Sequence, residues 1–244
     1  METRWIEETI GPPAECPGDW LVVNYRLAGR EIRLLQPRDP DRLLDDPSVQ
    51  QASHSHDYMP YWGYLWPGSL LLAEWILQQS WPGGRRAVEI GCGLGLAGLA
   101  GLGAGLDVTF TDYTPAELSA AARNAQLNGF ARYSVQLIDW QHPPRAAFDL
   151  VLGADVLYES RCVPDALRVL EAMLSRDGEA ILADPNRAVA DAFEPAAQAR
   201  GFLVRRESIR CSCNHGRPIE GRLFRCKRLQ SSFRPEPAET MPGG

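Results

Sequence analysis

The chain reads as an α/β protein: a doubly wound, mostly parallel seven-stranded sheet, preceded by a small N-terminal β-hairpin lobe and completed by an antiparallel strand at one edge. Three observations predict this class. Apolar runs of strand length alternate with helix-length segments through most of the sequence. Residues 88–98, Val-Glu-Ile-Gly-Cys-Gly-Leu-Gly-Leu-Ala-Gly, pass from an apolar strand through a glycine turn into a helix. A second apolar run, 106–111, closes on an acid, Asp112, which lies 21 residues beyond Gly91.

The elements follow in order. Residues 21–27 and 31–35 flank Ala28-Gly29-Arg30 and alternate as a β-hairpin does; its exposed edge is one that a second chain could meet, and no such pairing is predicted. Residues 36–57 are broken by Pro37, Pro40 and Pro47 and read as a loop able to lie over a ligand as a lid. The core then alternates: helix 69–79, strand 86–90, helix 96–104, strand 107–111, helix 115–128, strand 133–138, strand 148–154, helix 163–174, strand 178–183 and helix 188–200. Strands 202–209 and 220–227 have no helix between them and form the hairpin that supplies the antiparallel member. The domain division is therefore 1–57 for hairpin and lid, 58–229 for the main fold, and 230–244 for a proline- and glycine-bearing tail expected to be disordered.

The chemistry concentrates at strand ends. Gly91, Gly93 and Gly95 remove side chains where the backbone turns tightly, and the helix starting near Leu96 points its positive end at that turn, as nucleotide sites require. Such a turn serves dinucleotides and S-adenosylmethionine alike. Asp112 has the position of an acid that takes ribose hydroxyls, and equally that of a helix cap before Tyr113-Thr114-Pro115. The run 135–140 ends in Asp139-Trp140, an acceptor and an indole suited to hold a flat base, or simply a strand end capped by an aromatic. The nearly continuous apolar run 148–158 has the character of a central parallel strand and ends in Asp155-Val156-Leu157-Tyr158, which brings a carboxylate and a phenol to the carboxyl edge. A nicotinamide enzyme would need a second mononucleotide half, and the sequence shows none.

In this order the parts resemble the class I S-adenosylmethionine-dependent methyltransferases, specifically the family sixteen group that contains many protein-lysine methyltransferases. The resemblance rests on Glu89-Ile90-Gly91-Cys92-Gly93-Leu94-Gly95, Asp112, Asp139-Trp140 and the Asp-x-x-Tyr of Asp155 and Tyr158. Two further segments, 60–68 (Pro-Tyr-Trp-Gly-Tyr-Leu-Trp-Pro-Gly) and Asp184-Pro185-Asn186-Arg187, look like the branch that methylates the electron-transfer flavoprotein beta subunit. The resemblance covers roughly residues 58–190 and implies a Rossmann-like methyltransferase fold and S-adenosyl-L-methionine as cofactor, with S-adenosyl-L-homocysteine as product. It implies that Trp62, Glu89, Gly91, Gly93, Gly95, Asp112, Asp139 and Trp140 line the cofactor site and that Asp155 and Tyr158 face the methyl acceptor. A lysine side chain of a protein substrate is the implied acceptor. A small-molecule N- or O-methyltransferase and a non-catalytic cofactor-binding module are the alternatives.

Composition agrees with a cytoplasmic enzyme. Net charge of −6 argues against a broad nucleic-acid surface, and no apolar run reaches membrane-spanning length. Met1 to Gly11 carries Arg4, Glu7 and Glu8 where a signal peptide would have an apolar core. Six cysteines in a chain of this character are expected as free thiols, and Cys211-Ser212-Cys213 is too closely spaced for a usual zinc pair, so no metal site is assigned. His54-Ser55-His56-Asp57 reads as a solvated loop. Oligomeric state is not legible.

Overall fold

The computed structural model describes residues 19–45, 61–213 and 217–229. The loop histidines His54 and His56, most of the lid segment and the tail from 230 lie outside them. An antiparallel hairpin, β1 (Trp20–Leu27) and β2 (Arg30–Pro37), precedes a seven-stranded sheet of β3 (Arg86–Ile90), β4 (Asp107–Asp112), β5 (Ser134–Leu137), β6 (Phe148–Ala154), β7 (Leu174–Asp184), β8 (Phe202–Cys211) and β9 (Ile219–Arg228). The strand order is β5-β4-β3-β6-β7-β9-β8, the Rossmann-like arrangement expected. Pairing is parallel from β5 through β7, while β9 runs antiparallel to both neighbours, so the antiparallel member sits between β7 and the edge strand β8. Between β3 and β6 the chain reverses its direction of winding, and at such a switch point the carboxyl ends of the strands leave a crevice for a ligand.

Helices α1 (Pro67–Gln78), α2 (Leu96–Gly103), α3 (Pro115–Leu127), α4 (Cys162–Met173) and α5 (Phe193–Ala199) cover the sheet. The period of two along the central strands explains the layering. Ala87, Leu150, Leu152, Ile181 and Ala183 pack with α1, α2, α3 and the hairpin, whereas Val88, Ile90, Val151, Ala180 and Leu182 pack with α4 and α5. Both faces are buried, which is why these strands read as continuous apolar runs.

The hairpin shares the first of these cores: Trp20, Val22, Tyr25, Leu27, Leu34 and Leu35 are buried in the same cluster as α1 to α3. Its β2 edge is also closed. Asn128 accepts the Arg33 N–H at 2.9 Å and donates to the Arg33 carbonyl at 2.7 Å, and Asn124 does the same for Leu35 at 2.6 and 3.0 Å. Two asparagines one helical turn apart thus meet alternate residues of a strand, and β2 has no free edge there for a second chain. Two elements differ from the sequence reading. Residues 188–200 form a 3-10 turn, Ala188–Ala192, followed by α5, because Pro195 is tolerated in a helix's first turn and not in its interior. Strand β7 begins at Leu174, and its pairing with β6 jumps from Phe148–Leu174 to Leu150–Glu179, so that Ser175 to Gly178 bulge.

Candidate active site

The glycine turn follows β3 directly. Gly91, Gly93 and Gly95 have φ of 61°, 49° and 81°, the left-handed region in which a Cβ is strained. A Cβ at Gly91 would also lie 3.3 Å from the Trp140 ring, one at Gly93 would lie 3.2 Å from the Trp62 carbonyl oxygen, and one at Gly95 would lie 2.9 Å from Ala121. Trp62, Trp140 and the turn are therefore assembled into one cradle. Trp62 contributes its backbone to it, while its indole stacks on Trp20 with centroids 6.1 Å apart.

Asp112, at the end of β4, accepts the Gly93 N–H at 2.8 Å through one oxygen and the Tyr113 N–H at 2.8 Å through the other. Burial pushes its carboxyl above the usual range, against the pull of those two donors. Glu89 lies beneath the turn and not on its open side. It is 2% exposed and accepts the Gly98 N–H at 2.9 Å, which ties strand β3 to the first turn of α2, and burial pushes its carboxyl up to about 8. Asp139 turns away from the cradle. Its oxygens take the Gln141 N–H and His142 Nδ1, each at 2.8 Å, and the His142 contact holds its carboxyl below the usual range. The base-orienting pair of the sequence reading is thus split, with Trp140 at the turn and the Asp139 carboxylate engaged at the surface.

Asp155 departs most from expectation. It takes φ of 58°, and this left-handed turn at the end of β6 aims its carboxylate back toward α1. One oxygen accepts the Gly68 N–H in the first turn of α1 and the other accepts from the Arg187 guanidinium, leaving the residue 6% exposed. Burial raises its carboxyl above the usual range although Arg187 opposes this. Tyr158, by contrast, is 44% exposed and meets Tyr61 edge-on with centroids 6.0 Å apart. Trp66 continues the aromatic row, 6.0 Å from Tyr61 and 5.5 Å from Tyr64, and its indole N–H donates to the Tyr61 carbonyl at 2.7 Å. Burial and the Cys162 thiol push the Tyr158 phenol up, so it is a neutral donor at ordinary pH.

Two partners of this site carried no role in the sequence reading. Gly68 is obligatory because a Cβ there would overlap the Asp155 carboxylate and lie 2.9 Å from the Asp155 backbone nitrogen. Arg187 was visible only as part of a motif. The signal that would have found it is an arginine directly after a buried strand that ends in an acid, since a buried charge needs a partner.

A sheet of this order, with a glycine cradle after its first parallel strand and an acid closing the second, defines the class I S-adenosylmethionine-dependent methyltransferases. The sequence pattern of the lysine methyltransferase family matches residues 60–193, and the chain belongs to that family. The electron transfer flavoprotein beta subunit lysine methyltransferase of Danio rerio is 27% identical over 132 residues, 53% of this chain and 51% of that protein. The histone-arginine methyltransferase METTL23 of Rattus norvegicus is 29% identical over 140 residues, 52% of this chain and 60% of that one. The chain spans about half the length of the curated relatives it matches. Magnesium protoporphyrin IX methyltransferase from Synechocystis, solved with its cofactor, shares the fold, with a TM-score of 0.54 at 16% identity over 74% of this chain and 95% of that one.

Proposed function

We propose that this chain transfers a methyl group from S-adenosyl-L-methionine to a lysine side chain of a protein substrate. The observation that carries the reading is the aromatic row of exposed Tyr61 and Tyr158 with the half-buried Trp66 beside Tyr61, standing at the same sheet edge as the glycine cradle. The relative that acts on the electron transfer flavoprotein beta subunit points to the same acceptor.

The residues present fit the cofactor. The cradle has room only because its glycines lack Cβ atoms, and Asp112 stands at the turn with the position of a ribose acceptor. When bound, the cofactor supplies an electrophilic methyl on a sulfonium. Gly91, Gly93, Gly95 and the Trp62 backbone admit it closely, Trp140 offers a face to its base, and Asp112 takes its ribose. Glu89 supports the turn from below, and the Asp139 carboxylate stays with Gln141 and His142 at the surface. On the acceptor side the requirement is alignment of a neutral amine, whose reference pKa is about 10.4, with the methyl. The Tyr158 phenol oxygen accepts one N–H of the neutral amine, which leaves the lone pair free to face the methyl. Asp155 acts from behind by fixing the turn that carries Tyr158. No strong base would be needed: the lysine ammonium gives one proton to water before attack, and the methylated amine would carry away the positive charge that the sulfonium loses. On this reading the chain works in the cytoplasm, where its cysteines stay reduced.

Incubating the purified protein with methyl-labelled S-adenosyl-L-methionine and a lysate of its source tests this. Label in a protein band, recovered as methyl-lysine after acid hydrolysis, is the expected result. Recovery as methyl-arginine, or label confined to small molecules other than the cofactor, overturns the lysine assignment.

A further inference from the structure

Three non-glycine residues among those described have positive φ: Ala28, Asp155 and Asn186. Ala28 lies in the hairpin turn. The other two follow neighbouring parallel strands, Asp155 at the end of β6 and Asn186 in the turn after β7, and strain of this kind persists only where surrounding contacts hold it. Those contacts converge on Arg187. Its guanidinium donates to Asp155 and lies 5.8 Å from the centre of the Trp66 ring. Its own backbone is fastened on both sides, the N–H to Asp184 at 2.8 Å and the carbonyl by Arg222 at 2.6 Å. Arg222 in turn donates to Asp184 at 3.2 Å and to Asp191.

Arg187 thus joins the two walls of the aromatic row. Through Asp155 it reaches the Gly68 N–H and the turn that leads to Tyr158. Through Trp66 it reaches the Tyr61 carbonyl, and the Tyr61 ring closes the circuit against Tyr158. A permanent cation with a planar face suits this place, because one group must pair with a buried carboxylate and also lie on an indole. Lysine offers the charge without the fork.

We infer that Arg187 is a positioning residue for methyl transfer: acting through Asp155 and Trp66, it sets the separation between the Tyr61–Trp66 wall and the Asp155–Tyr158 turn through which the acceptor amine reaches the cofactor. This rests on the methyltransferase reading. None of the groups Arg187 bonds belongs to the 91–95 turn or to Asp112, and the clamp's segment meets the cradle at the Trp62 backbone.

The test compares the wild-type chain with Arg187→Met and Arg187→Lys by three readouts: titration calorimetry with S-adenosyl-L-homocysteine, label-transfer kinetics on the protein labelled in the lysate, and amide exchange of the peptide covering 61–70. Arg187→Met is expected to lower kcat by about 10- to 100-fold, in line with small misplacements of a reacting group. It should keep cofactor-product affinity within about threefold and accelerate exchange in 61–70, and Arg187→Lys should recover part of kcat. Turnover unchanged by Arg187→Met, affinity falling in step with turnover, or no recovery by lysine would overturn the proposal. Should Arg187→Met fail to fold, Asp155→Asn carries the same comparison from the other end of the pair. If the wild-type chain labels nothing, the methyltransferase reading falls, and exchange alone decides the clamp: unchanged protection of 61–70 in Arg187→Met refutes it, and faster exchange upholds it.

Discussion

The Glu89 carboxyl makes the fold's stability depend on pH in a direction opposite to that of most acids. It is 2% exposed, and burial lifts it from an ordinary 4.5 to about 8. Between those pH values the folded chain holds a proton that the unfolded chain has released. Unfolding free energy therefore falls as pH rises through that window, and the contribution is complete below it and gone above it. At about 1.36 kcal/mol per pKa unit, the full shift sets a ceiling of about 5 kcal/mol. Relaxation around the ionised carboxylate, and its coupling to Asp112, will bring the observed change below that ceiling.

Glu89→Gln isolates the effect. The amide keeps an oxygen to accept the Gly98 N–H, matches the carboxyl in shape and does not titrate. Urea unfolding of both proteins at half-unit steps from pH 5 to pH 9 gives the difference in stability, in which every other titrating group cancels to first order. Glu89→Gln is expected to gain on the wild type progressively across the window, by at least about 1.4 kcal/mol, the equivalent of one pKa unit. A difference that stays constant within about 0.5 kcal/mol would show that Glu89 is ionised in the fold at neutral pH, and the account of a protonated acid beneath the glycine turn would be wrong.

Other substitutions separate the parts of the site. Gly68→Ala forces a methyl against the Asp155 carboxylate and backbone, so calorimetric melting should show a loss of about 1–3 kcal/mol, as overpacking does. Asn124→Ala strips partners from Leu35 N–H, Leu35 carbonyl and the Leu94 carbonyl; chemical unfolding should register a loss of about 3 kcal/mol with the hairpin exchanging fastest. Asp112→Ala should weaken S-adenosyl-L-homocysteine binding at least about tenfold in titration calorimetry, since a hydrogen bond to a charged group is worth about 1.5–3 kcal/mol; unchanged affinity would remove Asp112 from the ribose role.

How much of this was legible follows from the range of the interactions. The strands β3, β6 and β7 could be read because burial on both faces makes most of their central positions apolar, and β4 because it closes on Asp112 at a fixed distance from the glycines. The glycine turn is local too: its bonds to Asp112 and Glu89 bridge 19 and 9 residues. The direction in which a carboxylate points is another matter. Asp139, read as a ligand for a base, is drawn off by a histidine three residues on, a local competitor that a strand-end reading overlooks. Asp155 was placed at the correct strand end, but its orientation is decided by a glycine 87 residues before it and an arginine 32 residues after it. Asn124 and Asn128 read as ordinary helix polar residues until their partners, 89 and 95 residues away, are known.

This difference in range has a functional consequence. On the proposed reading, the glycine turn and its Asp112 partner lie within one βαβ unit, and Trp62 and Trp140 reach it from outside that unit. On that reading the acceptor side is assembled from 61–68, 155–158 and 184–187, three segments joined by the Gly68–Asp155–Arg187 clamp, by Arg187 over Trp66 and by the ring contacts of Tyr61, Trp66 and Tyr158. A change in 184–187 moves the aromatic walls relative to one another without touching the 91–95 turn, whereas 61–68 and 155–158 also carry Trp62 and Val156, which lie against that turn. Acceptor choice can therefore shift among proteins that share this cradle while the cofactor stays constant, and substitutions on the acceptor side should alter turnover and substrate range before they alter cofactor affinity.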